Sequence, residues 1–377
     1  MKKKNWPIVR FGDFVSLDKK QIIYYPSEKN YIGMEDVESE TGNILRFGPN
    51  EKIKGMVFEY SNKHVLYGKL RPYLNKVVLP EEAGACSTEM MPLLPKENCV
   101  REWLAYLLRS KKFVALAMSS SSGSRMPRAD MKILLDEKFP LPPVEIQRRI
   151  AFVLDEAMRL LKKREEADKK MEAFAPALFH KMFGDPGKNE KGWEVKKLGE
   201  VSDIVAGSTP NSGVPDFWKG DINWVTPAEM KSDSFYITET ERKITKQGFE
   251  DCSTKMFPRG SVILSTRAPI GKVAISGVEM CSNQGIKALI TKPYLNNVYL
   301  FWWLKQRADY LNSLGSGATF KELSSTALKS VSIPVPPLEL QEKFADRITE
   351  MRAFQELQNE SRKKLEEVFE GMISRLI

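Results

Sequence analysis

Two stretches of the chain combine side chains that grip phosphates with turn residues that would hold them outward. In the first, Lys69 and Arg71 bracket a turn before Pro72. Downstream, a polar run from Ser119 passes Gly123 and ends in Ser124, Arg125 and Arg128. In the second, Arg267 and Lys272 flank a similar turn, and Ser316-Gly-Ala leads to Thr319 and Lys321. Lysine and arginine neutralise phosphates, and the guanidinium fork matches guanine O6 and N7. Ser208, Thr209 and Gln284 extend the second set. The Gln284 amide matches adenine N6 and N7, or it satisfies backbone in a turn. Trp218 reads first as core packing, and the Ser-Gly run also reads as a plain solvated loop.

Bond-breaking chemistry has weaker support. Asp185 with Glu194-Val-Lys196 has the D…E-x-K order of metal-dependent nucleases, whose carboxylates hold Mg²⁺. That set straddles a linker, 185–191, and the matching stretch of the first half, Ile8-Val9-Arg10, has no acid. There is no G-x-x-x-x-G-K-[ST] loop, no glycine-rich cofactor loop after a strand, and no Asn-Pro-Pro-Tyr-like or Asp-Pro-Pro-Tyr-like site. His64 and His180 have no partner pattern for nucleophilic or metal chemistry. Cys86, Cys99, Cys252 and Cys281 form no C-x-x-C pair, which argues against zinc and fits a reducing cytoplasm. The expectation is a non-catalytic chain that binds no metal or cofactor. Its 58 basic and 49 acidic residues give a net charge of +9, which points to an acidic partner such as nucleic acid. No run of 18 apolar residues is present to span a membrane.

The elements that must position these residues are a duplication. Ile146, Ile150, Val153, Ala157, Leu160, Ala167, Met171, Phe174 and Leu178 recur in steps of three and four, broken only at Arg164. This predicts one long helix over 142–183, opened by Pro142-Pro143 and stopped at Gly184. Some 38 helical residues span roughly 55–60 Å, and a one-sided stripe of that length needs a partner. The partner begins at Pro336-Pro337, with a stripe of Phe344, Met351, Phe354, Leu365, Val368 and Met372 broken at Gln358. The two helices are expected to pair antiparallel as a coiled coil, with Arg164 and Gln358 meeting near its middle.

The repeat covers the whole chain. Trp6–Val15 matches Trp193–Val201, YGKLRPYLNKVVL at 67–79 matches LSTRAPIGKVAI at 264–275, and Cys86-Ser-Thr-Glu matches Cys281-Ser-Asn-Gln. Arg71 is paired with Arg267 and Lys76 with Lys272 on this reading. Nothing between 20 and 60 aligns clearly with WKGDINWVTP. The predicted fold class is α+β, with two pseudo-repeated mixed α/β domains separated by two long antiparallel helices. The boundaries are 1–141 for the first domain, 142–183 for helix one, 184–335 for the linker and second domain, and 336–377 for helix two.

With these motifs the chain resembles the specificity subunit of type I restriction–modification enzymes, which serve DNA modification and phage defence. The carriers are WKGDINWVTPAEM, RAPIGKVAI, CSNQGIKAL, GSGATFKELS and VPPLELQEKF in the second half. In the first they are YGKLRPYLNKVVLP, CSTEMMPLLP and FPLPPVEIQRRI. Their order holds across nearly the whole chain. The resemblance implies two target-recognition domains that each read half of a split, asymmetric double-stranded DNA site. It implies a cytoplasmic scaffold without chemistry of its own. Two methyltransferase subunits would bind S-adenosylmethionine, and two restriction subunits can add ATP- and Mg²⁺-dependent steps. A different class, a coiled-coil interaction scaffold without DNA sequence specificity, is the alternative.

Overall fold

The computed structural model describes residues 6–26, 29–231, 235–317 and 321–376, with side chains to 373. Thr319 lies outside the described residues. The chain divides into two compact units, Met1–Glu166 with Asn359–Ile377, and Ala167–Gln358. Both division points fall inside long helices, Val144–Phe183 and Leu338–Leu376, so each unit owns one half of each helix.

Unit 1 opens with strand Ile8–Arg10, antiparallel to Lys138–Pro140, the strand that leads into the first long helix. A one-turn helix, Phe11–Phe14, then turns the chain into a four-stranded antiparallel sheet. Its order is Val15–Leu17, Met90–Pro95, Val65–Gly68, Val77–Val78. Unit 2 repeats this frame: Glu194–Lys197 pairs with Ser332–Val335, and Leu198–Val201 turns the chain. Ser202–Ala206, Ile286–Thr291, Val262–Ser265 and Val273–Ser276 follow in the same sheet order. The Val262-Ile-Leu-Ser strand is buried on both faces, which is why its apolar run does not alternate.

The units differ in the second sheet. In unit 1 it has four strands, ordered Gln21–Ile23, Met56–Tyr60, Gly84–Cys86, Tyr31–Ile32. In unit 2 it has three, ordered Lys243–Ile244, Trp218–Val225, Cys281–Ser282. Tyr236–Ile237 instead joins the main sheet of unit 2 as a parallel edge.

The pairing also gives the WKGDINWVTP motif a counterpart in the first half. Tyr31–Ile32 runs parallel to Gly84–Cys86 just as Trp224-Val225 runs parallel to Cys281–Ser282. Immediately after each strand, the Asp36 carboxylate accepts the Gly33 N–H at 2.8 Å, as Glu229 accepts the Thr226 N–H at 2.7 Å. YIGMED therefore stands where WVTPAE stands. The match is in turn chemistry, with too few identical letters to be seen in the sequence.

The Pro-Pro-x-Glu-x-Gln motif has a structural job. Gln147 and Gln341 are fully buried near the start of each long helix. The Gln147 amide donates to the carbonyls of Asn98 at 2.9 Å and Pro142 at 2.7 Å, and its oxygen accepts the Val100 N–H at 2.7 Å. Gln341 makes the same three bonds, to Tyr294, Pro336 and Asn296. Each glutamine thus ties the long helix to the segment that starts the unit's buried helix, Arg101–Arg109 or Asn297–Gln306. A buried amide with every bond made is tolerated, and one with a bond missing is costly.

Within unit 1 the two long helices run antiparallel. Tyr106 hydrogen-bonds Asp155 and packs edge-on against Phe369, and nine residues along the first helix Arg164 bonds Ser361 at 3.3 Å. In unit 2, Phe344 packs against Phe179 and Phe183 with ring centres 5.6 and 5.3 Å apart. Of the fourteen positions expected to pair, ten face inward and four do not. Ile150, Ala157, Arg164, Met171 and Leu178 face inward, as do Phe344, Met351, Gln358, Leu365 and Met372. The intervening positions are displaced by one residue. Leu160, Phe174, Phe354 and Val368 are 48, 47, 51 and 55% exposed, while Leu161, Ala175, Gln355 and Phe369 turn inward. Steps of 3–4 and of 4–3 both satisfy the helical period, and only packing chooses between them. Arg164's hydrogen bond accordingly goes to Ser361, three residues beyond Gln358.

Candidate nucleic-acid interface

In unit 2 the polar residues form a continuous bonded path. Arg242 stacks on Trp218, its guanidinium carbon 3.9 Å from the ring centre, and lies 5.1 Å from Trp224. The Trp224 indole N–H donates to the Ser208 carbonyl at 2.9 Å, and the Ser208 N–H donates to Ser282 at 3.0 Å. The Thr209 hydroxyl meets the Gln284 side-chain oxygen, both exposed. One residue on, Gly285 accepts the Thr266 N–H at 2.8 Å, which brings Arg267 alongside. The Arg267 Nε donates to Glu322 at 3.0 Å, and the other oxygen of that carboxylate lies 3.7 Å from Lys287. Lys287 is 4% exposed and also donates to Thr266 and to the Leu323 carbonyl. Burial pushes its pKa down, and the Glu322 charge works the other way.

Unit 1 assembles a corresponding junction. The Arg128 Nε donates to Glu89 at 3.0 Å, and the other Glu89 oxygen lies 3.9 Å from Lys69. Arg71 sits in the left-handed region at φ 50°, its N–H bonded to Pro127 at 2.7 Å, and its side chain is exposed. Ser124 and Arg125 lie on the exposed loop that closes at Ser122–Arg128.

Backbone register revises one expected equivalence. Ala129 bonds the Lys69 carbonyl as Leu323 bonds that of Thr266, which sets Leu70 opposite Arg267 and Arg71 opposite Ala268. The two arginines are not counterparts, because unit 1 has one extra residue between its turn and Lys76. Lys76 and Lys272 are counterparts: each donates to a carbonyl of the second sheet's turn, Met34 at 2.7 Å or Pro227 at 3.0 Å. Lys272 therefore ties the two sheets of unit 2 together, a positioning task. Lys321 is exposed beside Glu322.

Four residues of this site were missed in the sequence: Arg242, Glu89, Lys287 and Glu322. Arg242 lies among mixed charges, ETERK, and nothing local marks its stack on Trp218. Trp218 itself is partly exposed, with its indole N–H on the Asn211 carbonyl at 3.3 Å. A carboxylate repels phosphate, so neither Glu89 nor Glu322 carries a local signal of a DNA surface.

The residues of the nuclease-like set make local contacts. The Asp185 carboxylate accepts the Gly187 N–H at 2.7 Å, which holds it below the usual carboxylate range. Glu194 lies in the strand paired to Ser332–Val335, with Lys196 reaching back to it at 3.4 Å and stacking over Tyr294.

The family model described as type I restriction modification DNA specificity domain matches twice, over residues 3–169 and 190–367. Together the matches take in most of the chain, one per copy of the frame. The chain belongs to that family. It is 38% identical over 189 residues to the MjaIX specificity subunit of Methanocaldococcus jannaschii, an alignment spanning 49% of this chain and 43% of that relative. With the putative MjaX specificity subunit of the same organism it shares 26% identity over 410 aligned positions, covering 98% of this chain and 90% of the relative. A solved chain described under complex assembly and conformational transition of the type I system superposes with a TM-score of 0.68 at 22% identity. The match covers 99% of this chain and 97% of that one. The type I S subunit from M. genitalium gives 0.60 at 13% identity, covering 100% and 97%. At such identities these two speak for the fold. The solved specificity-subunit chains thus share this fold. Among the described residues no helix is long and apolar enough to cross a membrane.

Proposed function

We propose that this specificity subunit reads a split, asymmetric site on double-stranded DNA, one half-site per unit, and performs no chemistry itself. The supporting observation is that one backbone frame, built twice, carries two different polar surfaces. Identical surfaces would read identical half-sites. These have Arg242 over Trp218 in unit 2 and Arg71 with Arg125 in unit 1. Phosphate contacts supply affinity and the base-facing amide and guanidinium groups supply sequence choice.

The partners in this reading are two methyltransferase subunits, which bring S-adenosylmethionine to adenine, and two restriction subunits using ATP and Mg²⁺. Phe152, Leu160 and Phe174 on the first long helix, and Phe354, Leu357 and Val368 on the second, are large, apolar and exposed. Such residues suit helices of the methyltransferase subunits. Phe354→Glu is expected to abolish co-purification with them.

Mapping methylated adenines in a host expressing the chain with its methyltransferase subunits tests the reading. A single split motif with two unlike halves is expected. Methylation without sequence preference, or DNA retention by the assembled complex that ignores sequence, would instead favour an interaction scaffold.

A further inference from the structure

We infer that Glu89 and Glu322 are positioning residues for base reading: each holds an arginine by its Nε, so that the two terminal amino groups are offered together to a base edge. The inference rests on the DNA-reading function proposed above.

The two junctions have the same chemistry. Arg128 and Arg267 each donate through Nε at 3.0 Å, to Glu89 and Glu322. Both arginine side chains are about half exposed, at 46 and 44%. In each case the second carboxylate oxygen faces a lysine, Lys69 at 3.9 Å or Lys287 at 3.7 Å. The carboxylate thus bonds the arginine through one oxygen and turns the other toward a positive charge beyond hydrogen-bond distance, and the Nη pair takes no part in the bond that orients the arginine.

The sources of the three residues are permuted between the units. Three segments meet at this point: the turn after strand Val65–Gly68 or Val262–Ser265, the stretch after Cys86 or Cys281, and the loop closing at Arg128 or Glu322. In unit 1 they supply Lys69, Glu89 and Arg128. In unit 2 they supply Arg267, Lys287 and Glu322. The bridge that brings Arg128 beside Leu70 brings Glu322 beside Arg267. A residue inherited from the duplication would sit on the same segment in both units. Here each type has changed segment while the Arg–Glu–Lys set persists. Glu322 also gives buried Lys287 a counter-charge, but the Arg–Glu half of each junction is partly exposed and contributes little to stability, so stability does not account for the arginine's appearing in both. A guanidinium fixed in a bidentate pose does account for it: end-on contact with guanine O6 and N7 needs both Nη groups and loses less rotamer freedom if Nε is already anchored.

The test uses the full chain with its methyltransferase subunits in a host whose methylated sites are sequenced. Glu89→Ala is expected to relax one G·C position in one half-site, with roughly tenfold or greater loss of discrimination there. Glu322→Ala should do the same in the other half-site only. Glu89→Gln and Glu322→Gln, which keep an acceptor for Nε, should restore most of the wild-type motif. Total methylation is followed in parallel. An alanine variant that leaves both half-sites unchanged overturns the inference. So does one that lowers methylation evenly without relaxing a base, the result expected of a purely structural pair. A wild-type chain that directs no sequence-selective methylation overturns the function reading, and this inference with it.

Discussion

The two units share bonds that end on backbone and differ in bonds that join side chains. Gln147 and Gln341 clamp carbonyls and an N–H, Lys76 and Lys272 reach carbonyls, and Asp36 and Glu229 cap peptide N–H groups. Each such partner exists whatever residue occupies its position. These ties therefore survive divergence of everything around them. The Arg–Glu–Lys junctions need three particular side chains, and there the units have exchanged positions. A duplicated protein can keep its frame and change its readout when the frame is held by atoms that every residue supplies.

That contrast can be broken most decisively at the glutamines. Gln147→Ala and Gln341→Ala each strand buried backbone groups, at about 3 kcal/mol or more. Denaturant unfolding of the full chain should show comparable losses for both. A large loss in one and none in the other would dismiss the common frame. Next come the lysine ties. Lys76→Met and Lys272→Met each leave one carbonyl without its donor, at about 1–2 kcal/mol, and thermal unfolding should shift downward to a similar extent for the two. Tyr299→Phe sharpens the difference between the buried helices, because the Tyr299 hydroxyl donates to the Pro334 carbonyl at 2.7 Å, whereas its counterpart Trp103 makes no such bond. A loss of about 1 kcal/mol is expected on unfolding. Arg242→Ala should have the smallest effect on folding, about 0.5–1 kcal/mol for an exposed stack. Even so, it should weaken DNA retention by the assembled complex and alter only the half-site read by unit 2, as sequencing of methylated sites would show.

The exposed Leu160, Phe174, Phe354 and Val368 show where legibility in the sequence stopped. The helical period was visible, yet a period defines a face only to within one residue. Which of two adjacent apolar positions turns inward depends on the partner's shape. The same applies to Arg71 and Arg267: letters aligned them, and one extra residue in a turn separated them. Glu89 and Glu322 could not be found by looking for cations, since their relevance comes from segments far apart in the chain that meet in the fold.

By itself the sequence determined the duplication, the two long helices, the absence of a catalytic pattern and the family, because these rest on order, period and local turn chemistry. The tertiary structure alone decided which helix face is inward, which lysines hold sheets together and which arginines stand over a carboxylate. Those are contacts between residues distant in the chain, and a linear pattern carries no record of which distant groups come within 3 Å.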